Sequence, residues 1–199
     1  MKDRVLPAAG VIERLLLLAG LLMLGRWVMV TQEARAYQTW AATMVDSDAP
    51  GEARASTAGR QQEVVGRILI PRLGTSTVIA EGVEPGTLRK AVGHIPSSAL
   101  PGEPGNVVLA GHRDTYFSGL GKLRAGDAVR LQTRRRTYLY RVESARVTAA
   151  NAVDVMRPTR RPALTLVTCY PFSMIGPAPH RYVVRAKLVG WEPEAIAQR

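Results

Sequence analysis

Two regimes of apolar patterning divide this chain. From Leu15 to Val30 the residues are apolar almost without a break, with Arg26 the one charge in 16 positions. From Glu63 onward the apolar residues come in short runs, cut by Gly, Pro or Asp. A long unbroken apolar run reads as helix, and short β-branched runs bounded by turn residues read as strands. The runs predict about eight strands, over 64–70, 77–80, 106–111, 128–132, 137–142, 145–148, 163–168 and 181–188. One short helix is expected between Gly86 and Val92. The stretch from Gly93 to Gly105 carries Pro96, Pro101 and Pro104 and is expected to be irregular, a surface excursion that could wall a cleft. No internal repeat is visible. Short strands without alternating long helices predict a closed antiparallel barrel rather than a parallel sheet.

The apolar run is just short of the roughly 17–25 residues of a membrane-spanning helix. Arg26 lies near one end, where it can snorkel to the headgroups, and Trp27 suits the interface. A single-pass anchor is the favoured reading. A cleaved signal peptide and a buried core helix are the alternatives, although no convincing small-x-small cleavage site follows Val30. Lys2, Arg4 and Arg14 precede the run, which favours a cytoplasmic N-terminus in the inner membrane and an extracytoplasmic bulk. Arg26 and Arg35 reduce that asymmetry. The expected organisation is a cytoplasmic N-terminus over 1–14, a transmembrane anchor over 15–30, a juxtamembrane helix and linker over 31–62, a catalytic barrel over 63–190 and a tail over 191–199.

Composition narrows this further. The chain has 199 residues, room for one domain and a tail, and its 46% hydrophobic content excludes general disorder. The formal net charge is +11, and residues 124–161 hold ten arginines against Asp127, Glu143 and Asp154. Such a surplus raises a nucleic-acid partner. However, the arginines fall on alternating and turn positions around Arg134, Arg135 and Arg136. Tyr138 and Tyr140 make one aromatic pair, too few for a stacking platform. The expected role is a solvated basic hairpin facing anionic lipid or envelope polymer, with no nucleic acid bound.

The chemistry centres on the single cysteine, Cys169, which closes the run 163–168. A lone cysteine is by default a small buried hydrophobe and forms no intramolecular disulfide. Here Thr168 precedes it and Tyr170-Pro171-Phe172 ends the strand at once, so the thiol stands at a strand end. A nearby cation would favour the reactive thiolate. Of three histidines, His94 lies in the Pro-rich excursion and His180 in a loop, whereas His112 follows the strand 106–111. Strand ends hold side chains rigidly enough for positioned acid–base chemistry. Arg181 opens the strand that returns after Cys169, so a hairpin would set the two side by side, with a guanidinium placed for an oxyanion. One cysteine and three scattered histidines offer no zinc-type ligand pair, and no phosphate-binding glycine loop occurs.

These residues resemble the sortase family. Val65-Gly66-Arg67-Ile68-Leu69-Ile70-Pro71 resembles its opening strand, and Gly93-His94-Ile95-Pro96 with Leu100-Pro101-Gly102-Glu103-Pro104-Gly105-Asn106 resembles its next landmark. Leu109-Ala110-Gly111-His112-Arg113 resembles the histidine strand, and Thr165-Leu166-Val167-Thr168-Cys169 with Arg181 resembles the cysteine and arginine signatures. The Thr-Cys-Tyr-Pro-Phe run and the Leu-Pro-Gly-Glu-Pro-Gly-Asn loop look like the proteobacterial subgroup. The resemblance implies an all-β, closed eight-stranded barrel with one or two short helices behind a transmembrane helix. It implies a cysteine transpeptidase whose Cys169 attacks a motif similar to Leu-Pro-x-Thr-Gly in a secreted or surface protein, before an amine acceptor of the envelope resolves the acyl-enzyme. His112 would be the acid–base residue and Arg181 the oxyanion or substrate cation. Ala110 and Thr168 would line the peptide groove, with 143–162 as the selecting loop. No counterpart of the acidic calcium site of some sortases is seen, and no cofactor or metal is expected.

Two other classes stay open at this point. One is another cysteine acyl-transfer enzyme, such as an L,D-transpeptidase or a cysteine peptidase, although the former usually hold histidine and cysteine close together in one motif. The other is a non-enzymatic basic barrel. Transfer and hydrolysis differ only in whether an amine or water resolves the acyl-enzyme.

Overall fold

The computed structural model describes residues 8–46 and 63–193. The expectations placed on 1–7, 47–62 and 194–199 lie outside the described residues. The first element is one unbroken helix, α1 (Ala8–Asp46), 39 residues long and about 58 Å at 1.5 Å per residue. It joins the apolar run to the polar residues after it. Its N-terminal part exposes leucine after leucine, and it is long and apolar enough to cross a membrane.

The rest is a closed barrel of eight strands. In chain order these are β1 (Val64–Ile70), β2 (Thr75–Glu81), the short helix α2 (Pro85–Lys90), β3 (Val92–His94), β4 (Asn106–Ala110), β5 (Ala128–Gln132), β6 (Arg136–Ala149), β7 (Ala163–Tyr170) and β8 (His180–Pro193). Around the barrel they run β1-β2-β3-β4-β7-β8-β6-β5. The predicted count holds, but two of its members differ. The runs 137–142 and 145–148 form one long strand, β6, because a bulge between Val142 and Ser144 absorbs the break in pattern without ending the pairing with β8. The eighth strand is β3, inside the stretch expected to be irregular. Three residues suffice there because Gly93 lets the backbone come close: a Cβ on it would fall 2.3 Å from the Gly82 carbonyl oxygen.

The barrel is mixed rather than wholly antiparallel. β2 pairs parallel with β3, and β4 parallel with β7. The connections over each parallel pair are what make this possible: α2 crosses from β2 to β3, and the long β5–β6 hairpin lies between β4 and β7 in sequence. The interior is filled by Ile68, Ile79, Leu109, Leu131, Leu164, Leu166 and Val184, with Phe117 and Leu120 from the connection after β4.

The C-terminal half of α1 packs on this barrel, with Ala41 and Val45 buried. The basic turn between β5 and β6 is exposed, as expected for a solvated hairpin, and it also meets the helix end. Arg134 Nε donates to the Met44 carbonyl at 2.9 Å, and Arg67 pairs with Asp46 at 3.0 Å. The last carbonyls of a helix lack intrahelical partners and carry its negative end, so an arginine there has a physical reason. Arg136 instead stacks over the Trp191 ring at 4.1 Å.

Candidate active site

Three neighbouring strands build the site. Leu164 and Leu166 of β7 lie in the core, so alternation turns Thr165, Val167 and Cys169 outward. The same rule turns Val108 and Ala110 of β4 outward, because Val107 and Leu109 point in. On β8, Val184 and Ala186 point in, leaving Arg181, Val183 and Arg185 on the outer face.

Register then decides which of these residues are level. In the antiparallel pair β7–β8, Cys169 lies opposite Arg181, as the hairpin spacing predicts. In the parallel pair β4–β7, Ala110 lies opposite Val167. The pairing continues past the end of β4: Gly111 N donates to Val167 O at 3.1 Å, and Thr168 Oγ1 donates to Gly111 O at 2.7 Å. β4 ends at Ala110, and the same register carried two residues further would bring His112 level with Cys169. Cys169 and Arg181 pair across β7 and β8, and His112, in the turn just past β4, completes a candidate row at this end of the barrel.

Each neighbour of the row has a visible cause. Gly111 precedes His112 because the Phe117 ring lies against its backbone, and a Cβ there would come within 2.7 Å of that ring. Phe117 N closes the turn on His112 O at 3.0 Å. Next to Cys169, the rings of Tyr170, Phe172 and Tyr182 pack on one another at 5.3 to 6.1 Å, with Phe172 and Tyr182 against the core. Arg113 Nη2 reaches the Gly176 carbonyl at 2.7 Å, tying the histidine turn to the β7–β8 connection. The Arg181 guanidinium rests on Ala178 O at 3.2 Å and His180 O at 2.9 Å, carbonyls of its own loop. Cys169 is a free thiol, partly exposed.

The other expected residues divide. Ala110 is on the outer face beside the row. Thr168 is 2% exposed with its hydroxyl committed to Gly111, so it fastens β4 to β7 rather than offering a polar group to a groove. His94 is not in an irregular loop; it ends β3, 1% exposed, with Nδ1 2.8 Å from Glu81 Oε2 and Nε2 3.0 Å from Ala99 O. A histidine so enclosed and saturated holds the wall together. His180 opens β8 opposite Tyr170 and is exposed.

Farther along the same face lies a second set that the sequence reading did not single out. Thr165 Oγ1 donates to Asn106 Oδ1 at 2.7 Å, and Arg185 Nη1 donates to Thr165 Oγ1 at 3.0 Å. Asn106 Nδ2 and Arg185 Nη1 both donate to the Val155 carbonyl, at 3.1 and 3.3 Å. These groups hold the segment after β6 across the barrel face. Between that segment and the barrel is a cavity of about 280 Å³, lined by Ser144, Arg146, Asp154, Arg157, Thr159 and Arg185 among others.

A thiol, an imidazole and a guanidinium level with one another on a closed barrel define a recognisable class of fold. The sortase-domain family model matches residues 68–189, more than half of the chain, and the chain belongs to the sortase family. It is 36% identical over 125 residues to sortase D of Bacillus subtilis, covering 62% of this chain and 63% of that protein. It is 28% identical over 188 residues to sortase SrtE1 of Streptomyces coelicolor, covering 85% and 52% respectively. The chain thus spans less than two thirds of either curated relative. Among solved structures, a sortase D5 transpeptidase of Clostridium perfringens superposes with a TM-score of 0.67 at 28% identity, covering 78% of this chain and 98% of that one. These relatives are of types D and E, so the resemblance to the proteobacterial subgroup rests on its two short runs alone.

Proposed function

We propose that this protein is a membrane-anchored cysteine transpeptidase that cleaves a Leu-Pro-x-Thr-Gly-like sorting motif in a secreted or surface protein. The observation that supports the reading is Cys169 opposite Arg181, beside the β4 register that leads toward His112. The Cys169 thiolate attacks the scissile carbonyl, forming a C–S bond. As the tetrahedral intermediate collapses, the C–N bond breaks and His112 gives its proton to the leaving amine. The acyl-enzyme is then attacked by an amine of the envelope, whose proton His112 takes, and Cys169 leaves as thiolate. Arg181 holds the oxygen on which negative charge develops. Ala110 keeps the groove floor low for an extended peptide, and Thr168 acts by fixing the strand ends.

Residues 15–30 form the single span, in the cytoplasmic membrane, and the barrel works on the extracytoplasmic side. Support comes from the exposed leucines of α1 and from the cations that precede the run. The proteobacterial subgroup is retained as the finer proposal, on the Thr-Cys-Tyr-Pro-Phe run.

The test is cleavage of a labelled Leu-Pro-x-Thr-Gly-type peptide, with and without an added amine, followed by mass spectrometry of the protein. An acyl adduct on Cys169 is expected. Cleavage that survives Cys169→Ala would overturn the assignment.

A further inference from the structure

The turn that carries His112 is pinned from two sides. Phe117 is fully buried, and its neighbour Tyr116, half-buried, packs against the core and reaches the end of α2. The Tyr116 hydroxyl lies 3.5 Å from the carbonyl of Arg89, in the last turn of α2. Burial at this junction pushes the Tyr116 hydroxyl above its ordinary value. The adjacent Tyr37 hydroxyl is buried there without a hydrogen-bond partner.

Gln38 is fixed by the barrel itself. Its Nε2 donates to the Lys90 carbonyl at 2.6 Å, and its Oε1 accepts from Val78 N at 2.9 Å. The second bond has a topological cause. β3 is only three residues long and its register against β2 begins at Ile79, so the β2 edge before that residue lacks a strand partner. Gln38 takes that place. Five residues earlier, Glu33 pairs with Lys90, only three residues beyond Val30 and so about 4.5 Å farther along the helix.

We propose that Gln38 and Tyr116 form a positioning junction through which the membrane helix sets the His112 turn. Neither touches substrate. Gln38 and Tyr116 bond to successive carbonyls at the end of α2, Lys90 and Arg89, Tyr116 and Phe117 pack the turn against the core, and Phe117 N fixes the His112 carbonyl. Without these contacts the turn would hold His112 less well. The inference rests on the reading of His112 as the proton carrier.

The experiment uses the full chain in lipid nanodiscs, with Gln38→Leu, Tyr116→Phe and, as a control, Arg134→Ala. The control removes a bond at the far end of the same helix. Three quantities are read: kcat and KM for the sorting peptide, the alkylation rate of Cys169 by iodoacetamide, and Tm. A displacement of about 1 Å at a reacting group lowers rates by up to about 10²-fold, so a loss of about tenfold in kcat is expected for Gln38→Leu. Tyr116→Phe, which keeps the ring, should lose less. In both variants KM should stay within about twofold and the alkylation rate should fall in step with kcat, as expected when only the reacting groups move. Arg134→Ala should match the parent in kcat and alkylation. The junction is overturned if Gln38→Leu and Tyr116→Phe match the parent in both, or if Arg134→Ala loses as much as Gln38→Leu. A parent protein that cleaves no sorting peptide would instead sink the enzymatic reading, and alkylation would still report the junction.

Discussion

The outer face of β4, β7 and β8 carries two polar rows, and they differ in what their side chains are bonded to. At the barrel end, His112, Cys169 and Arg181 are partly exposed, and among the described residues Arg181 bonds to carbonyls of its own loop. About four residues farther in, Asn106, Thr165 and Arg185 bond to one another and to the segment that crosses above them. Each row draws one arginine from β8, on the same face. The first keeps its polar capacity for something that arrives. The second has spent its capacity on the protein. Burial with full satisfaction is the mark of a structural network, and level, reachable, unlike groups at a strand end are the mark of a site.

The comparison is broken most directly at Cys169. We expect Cys169→Ala to remove peptide cleavage while leaving Tm within about 1 °C, because a partly exposed thiol contributes little packing. Thiol alkylation of the parent should have the same effect on turnover. A large drop in Tm with residual cleavage would move Cys169 from the first row to the second.

The two arginines come next. Arg181→Ala and Arg181→Lys should each lower kcat by about 10²-fold or more, as loss of one oxyanion donor does, since an ammonium does not reproduce the planar fork. Arg185→Ala should act mainly on KM, by loosening the segment held at Val155. Circular dichroism of each purified variant separates folding from chemistry. Equal kcat losses at Arg181 and Arg185 would mean that the arginines act through general charge.

The first row was legible in the sequence because each member ends or begins an apolar run, and strand ends are visible as breaks in pattern. Cys169 and Arg181 could be placed opposite each other from hairpin logic alone. The second row was not legible. Asn106 and Thr165 sit inside strands expected from their β-propensity, and nothing in a one-dimensional pattern tells that β4 and β7 are parallel neighbours. That adjacency arises from a crossover through β5 and β6. β3 was missed for the opposite reason: prolines on its C-terminal side signalled a loop, and a three-residue strand is too short for periodicity to show. The docking of Arg134 on α1 was hidden because a helix end is recognisable as an acceptor only once its position is known.

The buried part of the second row should matter more than its surface. Thr165→Val keeps shape but removes the hydroxyl that bonds both Asn106 Oδ1 and Arg185 Nη1, which should destabilise the fold by about 1–3 kcal/mol. Urea denaturation measures it. Cleavage should persist with a raised KM, because the segment above the face is freed while the first row stays in place. An unchanged midpoint would show that Asn106 and Arg185 find other partners, and the network would not be the fastening described above.

The smallest effect belongs to the same segment's outer tie. Arg146 Nη2 lies 2.9 Å from Asp154 Oδ2, with the two side chains 56% and 49% exposed. Water already solvates both charges, so removing the pair with Asp154→Asn should change stability by at most about 1 kcal/mol. Raising the salt concentration screens a pair this exposed, so whatever difference Asp154→Asn shows at low salt should shrink toward zero in about 1 M salt. The Thr165→Val loss rests on desolvated hydrogen bonds and should persist there. Paired denaturation curves at both salt concentrations put the two ties on one scale. If Asp154→Asn proves as costly as Thr165→Val, and stays so at high salt, the segment hangs on its surface rather than on the buried row, and the contrast between the two rows would have to be redrawn around the loop.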